Sequence, residues 1–292
     1  MPNLKEVRIR IDSVKNTQQI TNAMKMVAAS KLRKAQHAIQ SLRPYAGKMQ
    51  DILANLKAGQ PEGKNLPYSQ ERPPEKILVF ALASNRGLCG AFNTNVIRNL
   101  KNLVEDTYAE QHAKSNLFLI TAGKHLGDHC ERKGYPLLSR KDELIEKISF
   151  EGVSALASDI MNRFEKGEFD KVYLVYNQFR NAAMQVLVTE TFLPISQAGA
   201  LPAKPLEYIY QPGREEILNE IIDKSLHLQL YKAFLDSYAS EQGARMTAMH
   251  KATDNAGELL KELKLSYNKA RQAAITKEIL EIVSGANALK GQ

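Results

Sequence analysis

The sequence has only two cysteines, no proline after Pro212, and no apolar run long enough to cross a bilayer. Cys89 and Cys130 are too few for a disulfide framework and fit a reducing compartment. The longest apolar run, residues 77–83, falls far short of the roughly 20 residues that a spanning helix needs. No signal-peptide core or Arg/Ser-rich transit segment follows Met1, so the expected location is a cytoplasm. Gly-Lys-Ser/Thr and G-x-G-x-x-G are both absent, and no Ser/His/Asp arrangement stands out. Nothing in the sequence argues for catalysis, a cofactor or a resident metal.

What the chain does have is a heptad seam at each end. Near the N-terminus it runs from Leu4, Val7, Ile11 and Val14 through Gln18, Thr21 and Lys25 to Ala28, Leu32, Ala35, Ile39 and onward to Leu56. Near the C-terminus a second seam runs Leu228, Tyr231, Leu235, Tyr238, Gln242, Arg245, Met249, Ala252, Ala256, Leu259, Leu263, Ser266, Ala270, Ala273, Lys277, Leu280. Apolar residues every 3.5 positions keep one narrow face of a helix against a partner helix. With both seams in one chain, the expectation is that the ends pack on each other, antiparallel, as two helices rising from one middle domain.

Composition divides the chain into four parts: 1–57, an N-terminal coiled-coil helix; 58–74, a linker rich in glycine and proline; 75–205, a central α/β domain; and 206–292, a C-terminal coiled-coil helix. Pro44 is expected to kink the first helix. Without proline, 214–286 reads as one helix of roughly 105 Å, weakened by about 1 kcal/mol at each of Gly243 and Gly257. In the middle, KILVFALAS (76–84) and 117–121 read as buried strands, and 93–108, 122–133 and 153–164 as helices. The segments 171–177 and 183–192 read as a hairpin. Strand–helix alternation ending in a hairpin means an open α/β sheet with an antiparallel edge. The first helix is the shorter, so the end of the second should lack a partner. That end holds Ile275, Ile279, Leu280, Ile282 and Val283, which calls for a socket elsewhere.

Net charge is +8, and the first fifty residues carry much of the excess, including Lys5, Arg8, Arg10, Lys15 and Lys25. Such a helix suits nucleic acid, anionic lipid, an acidic protein surface or plain solvent, and charge alone does not choose. The loop 85–91 lies where phosphate loops live, but without either phosphate-loop motif it reads as a tight β–α turn that needs glycine. His125, Asp128, His129 and Cys130 have no second cluster to complete a metal site and read as a surface helix end. The polar seam positions Gln18, Thr21, Lys25, Gln242 and Arg245 either set register or face something other than the partner helix.

Three segments carry a family resemblance: TQQITNAMKMVAASK (17–31), SNRGLCGAFN (84–93) and ARQAAITKEILEIVSGA (270–286). In that order they resemble the signatures of the gamma subunit of F-type ATP synthase, and the likeness covers essentially the whole chain. The resemblance implies an antiparallel coiled coil with a central Rossmann-like open sheet. It implies a non-catalytic central-stalk rotor that couples proton flow to ATP synthesis by turning inside a ring of three alpha and three beta subunits. One copy per complex would meet the epsilon subunit and the membrane c-ring, with delta in the same complex and no nucleic acid, at the cytoplasmic face of a bacterial inner membrane. By position, Met24 and Lys25 match the contact with the beta subunit's acidic lever. Arg245, Gln272, Thr276 and Glu281 match a polar catch on the ring, expected to matter for coupling and not for folding. Tyr208 and Tyr210 match the foot that meets the membrane ring and epsilon. The segment with a regulatory dithiol that plastid members carry has no counterpart here, so redox gating is not expected.

Overall fold

Strand β1 (Ile77–Leu82) shows why the middle of the chain folds as it does. Its Leu78, Phe80 and Leu82 enter one hydrophobic cluster, while Ile77, Val79 and Ala81 enter another on the opposite face. A period of two with apolar residues at every position gives a strand that must be covered on both sides. The computed structural model describes residues 4–58, 68–70, 72–195, 211 and 213–290. Most of the linker, and with it Tyr208 and Tyr210 of the expected foot, lies outside the described residues.

In chain order the elements are α1 (Leu4–Ala58), β1, α2 (Phe92–Asn102), α3 (Ala109–Ala113), β2 (Leu117–Ala122), α4 (Lys124–Lys133) and β3 (Leu137–Arg140). There follow α5 (Glu143–Glu146), α6 (Phe150–Glu165), β4 (Lys171–Phe179), β5 (Gln185–Leu193) and α7 (Arg214–Lys290). The sheet order is β3-β2-β1-β4-β5, parallel except for the antiparallel β4–β5 hairpin at one edge. That is the open α/β sheet the sequence indicates. α3, β3 and α5 are additions to the expected list. The helix expected over 93–108 ends at Asn102 and widens at Leu103–Thr107, where the Tyr108 N–H donates to Leu103 O at 2.9 Å. Pro44 lies inside α1, which continues through it.

The chain forms two compact units that cut across the expected boundaries: 28–245, and 1–27 together with 246–292. In the larger unit, Val96, Leu100, Leu126 and Cys130 of α2 and α4 cover one face of the sheet. α6 and the first part of α7 cover the other. Leu218, Ile222, Leu226, Leu230 and Phe234 of α7 recur at 4-residue steps and all join the core, with Phe234 stacked 5.7 Å from Phe80. The start of α7 is therefore a wall of the α/β domain and not a free coiled-coil arm. Between the sheet and α1 it is buried nearly all round, through Ala239, Ser240, Glu241, Gln242 and Arg245. Gly243 has a packing role there: a Cβ on it would lie 3.3 Å from Ala182 Cα and 3.5 Å from Phe179, so glycine lets the helix approach the β4–β5 turn.

In the smaller unit the ends pair as a two-helix rod. Thr253 Oγ1 donates to Thr21 Oγ1 at 2.9 Å, and a Cβ on Gly257 would meet Gln18 Nε2 at 3.0 Å. Residue numbers fall along α1 as they rise along α7, so the pair is antiparallel. Val7 and Thr21 of α1 are buried, as its seam requires. The α7 seam is right at Met249, Ala256, Leu263 and Ala270 and out of phase between them. Leu260 is 9% exposed while Leu259 is 36% exposed, and Tyr267 is half-buried where Ser266 is not. Steps of 3/4 and 4/3 both preserve a heptad, and adjacent leucines do not decide between them; the contacts of Thr21 and Gln18 do. Cysteines at Thr21 and Thr253 are expected to form an intrachain disulfide on mild oxidation, seen as a reducible gel shift in the full chain. Failure to crosslink, or crosslinking only between molecules, would overturn this pairing.

Candidate functional site

Leu82 ends β1, and the loop that follows is closed by its own side chains. The Ser84 N–H donates to Asn93 Oδ1 at 3.0 Å, and Ser84 Oγ donates to Arg86 O at 2.7 Å. Asn85 Nδ2 donates to Asp142 O at 2.9 Å and Asn85 Oδ1 accepts from the Lys124 N–H, which fixes the loop to the neighbouring β–α turn. Asp142 is held in turn by Arg140, whose guanidinium also reaches Asp128 and Glu131. Leu88 sits at the loop tip with a left-handed φ of 62° and 64% exposure. Cys89 lies underneath, buried, accepting from Asn93 Nδ2 at 3.5 Å.

The strand order turns back beside β1, which is where open α/β sheets bind ligands at the carboxyl ends of their strands. Here that place is taken by the chain itself. Arg245 of α7 donates through Nη2 to Arg86 O at 3.0 Å and Gly87 O at 3.2 Å, and through Nη1 to Glu241. Arg245 is 9% exposed. Burial pushes the Glu241 carboxyl above its usual range, an effect that the neighbouring Arg245 charge opposes. A phosphate loop turns backbone N–H groups toward an anion; this loop turns two carbonyls toward a cation. The arrangement is a buried ion pair that holds the middle motif against α7.

The other predicted residues are placed differently. Met24 and Lys25 are half-buried on α1, next along from Thr21. Gln272, Thr276 and Glu281 are exposed; Thr276 Oγ1 bonds back to Gln272 O at 2.9 Å, and Glu281 lies 3.7 Å from Lys277. These residues belong to the smaller unit and Arg245 to the larger one. Counting back from Gln18, Leu4 falls level with Arg271, so α1 covers nothing beyond that point. Ile275, Ile279, Leu280, Ile282 and Val283 are accordingly 49–70% exposed. His125, Asp128, His129 and Cys130 do not converge. Asp128 pairs with Arg140 at 3.0 Å, His129 stands edge-on to Tyr135, and Cys130 is buried under the sheet with its thiol pushed up to about 11 by desolvation. Sequence reasoning missed three exposed apolar residues on α1, Ile20, Met26 and Val27, each 55–60% exposed. The available signal was that these residues are apolar yet off the seam. It missed Glu241 as well, four residues before Arg245 in a run of small residues.

Comparison with known proteins decides the family. A family model described as ATP synthase matches residues 3–289. The chain belongs to the ATP synthase gamma-chain family. It is 50% identical over 291 residues to the ATP synthase gamma chain of Christiangramia forsetii, and 51% identical over 292 residues to that of Flavobacterium johnsoniae, with 100% of each chain covered in both cases. Among solved structures it is similar to a chain of the Tetrahymena thermophila mitochondrial ATP synthase central stalk and c-ring. There the TM-score is 0.59 at 27% identity, covering 80% of this chain and 99% of that one. A chain of the Euglena gracilis mitochondrial ATP synthase shares the fold, with a TM-score of 0.66 at 21% identity over 98% of this chain and 94% of that one. In this gamma-chain family member, all three sequence motifs therefore sit on helix faces or on the loop held by Arg245.

Proposed function

We propose that this chain is the central-stalk rotor subunit of an F-type ATP synthase, non-catalytic itself, turning inside a ring of three alpha and three beta subunits. The observation that carries the reading is the end of α7, a helix with apolar side chains exposed on several faces and no partner among the described residues. Such an end belongs in an apolar socket. The uncovered Ile20, Met26 and Val27 on α1, beside Met24 and Lys25, supply a second contact face for the ring. Gln272, Thr276 and Glu281, exposed on α7, suit polar contacts with the same ring. No described helix is long and apolar enough to cross a membrane, which fits peripheral attachment through epsilon and the c-ring at the cytoplasmic face of a bacterial inner membrane. Delta would be present in the same complex.

Co-expression of the tagged full chain with alpha, beta and epsilon subunits tests this. The expected product is a 3:3:1:1 complex that turns over ATP, and a chain that purifies alone would overturn the proposal. The same preparation checks the loop. Since the Arg86 and Gly87 carbonyls face inward to Arg245, the chain alone should show no ATP binding at micromolar concentration by equilibrium dialysis. Stoichiometric binding there would make the loop a nucleotide site.

A further inference from the structure

Within the larger unit, α1, the β4–β5 hairpin and α7 line a cleft of about 620 Å³ that is open to solvent on one side. That volume lies within the range of small-molecule sites. Its apolar lining comes from Ile39, Leu42 and Met49 of α1, Phe179 of β4 and Leu228 of α7. At its rim stand three solvent-exposed cations: Arg43 of α1, Arg180 of the β4–β5 turn and Lys232 of α7. Among the described residues, none of the three has a carboxylate oxygen within 4.0 Å.

Two carboxyls also face the cavity. Glu190 is already engaged, accepting from Tyr176 Oη at 2.7 Å and from Gln229 Nε2. Asp236 is 5% exposed and has no hydrogen-bond donor among the described residues. Burial raises its carboxyl to about 6, against the pull of Lys232 and Arg43. Three cations thus face two carboxyls, and cationic charge is in excess at the cavity.

We infer that this cavity binds a small organic anion, a phosphate or carboxylate head held by Arg43, Arg180 and Lys232 with an apolar body laid along Ile39, Leu42, Met49 and Leu228. The site is separate from the loop at Arg245 and from the exposed end of α7. Because it joins both long helices to the sheet, an occupant would stiffen the unit that carries them.

Gly47 offers a clean block. It lines the cavity, and a Cβ there would meet nothing within 4 Å, so Gly47→Trp can fill the space from α1 without moving backbone. Titration calorimetry of the full chain with octyl phosphate is expected to show one site. Affinity should fall at least tenfold in Arg180→Ala/Lys232→Ala and vanish in Gly47→Trp, with circular dichroism unchanged in both. Inorganic phosphate and octyltrimethylammonium should each bind at least tenfold more weakly than octyl phosphate. Equal binding of the two octyl probes, or binding unaffected by these variants, would overturn the inference. Vesicles of anionic phospholipid distinguish the source. Retention of wild type but not of Gly47→Trp assigns a lipid headgroup, and no retention, with octyl phosphate bound, assigns a soluble anion.

Discussion

Replacing Arg245 with alanine is expected to destabilise the isolated chain by about 3–5 kcal/mol, because it leaves the Glu241 carboxylate buried without its counter-charge. Both side chains are deeply buried, at 11% and 8% exposure, so solvent screens little of the loss. At about 2–4 °C per kcal/mol for a chain of this size, the melting temperature should drop on the order of 10 °C. The paired change Arg245→Met with Glu241→Leu removes both charges and should recover most of it. The Arg86 and Gly87 carbonyls lose their donor in either variant, so amide exchange in the loop around Leu88 should speed up in both. Sequence reasoning placed Arg245 in a polar catch that matters for coupling and leaves folding intact. The structure instead gives its guanidinium three acceptors within the chain. If Arg245→Ala melts with wild type while turnover by the assembled complex falls, the intrachain bonds are dispensable and the residue serves the ring alone.

The reason for that difference is instructive. Position in a seam says which way a residue faces, and for Arg245 the seam faced correctly inward. What it cannot say is what lies opposite. The loop after β1 is 158 residues away along the chain, and only the sheet order brings its carbonyls under α7. The same limit explains the domain boundary. Residues 218–234 of α7 carry an apolar pattern that suits a helix partner or a sheet face equally, and the sheet has two faces to cover while α6 covers only part of one.

Elements with a strong local signal were legible. β1 and β2 are unbroken apolar runs, α7 has no proline to stop it, and the hairpin alternates on either side of a short turn. β3 was not legible, for a physical reason: it is a four-residue edge strand, half-exposed, ending in Ser139 and Arg140. The phase of the α7 seam was half legible, since Leu259 and Leu260 offer the same hydrophobicity to two registers. The unpartnered end of α7 was legible from helix lengths alone, and its exposure follows from where Leu4 stops.

That end supplies the other large expected effect. Ile279→Asp combined with Ile282→Asp should leave the isolated chain within about 0.5 kcal/mol of wild type, because both side chains are mostly solvent-exposed, at 54% and 70%, and α1 does not reach them. In the assembled complex the same two residues would sit in an apolar socket. Two carboxylates placed there cost several kcal/mol each in desolvation, and about 1.5–3 kcal/mol of burial is lost with each isoleucine. The complex should therefore come apart at a lower temperature and lose most of its assembly yield, with ATP turnover falling in proportion to intact complex. Ile279→Leu with Ile282→Leu keeps the apolar surface and should behave as wild type. Should the aspartate variant unfold the isolated chain instead, the tip must already be packed within it. Should the complex keep its stability, the tip stands in water and the socket does not exist.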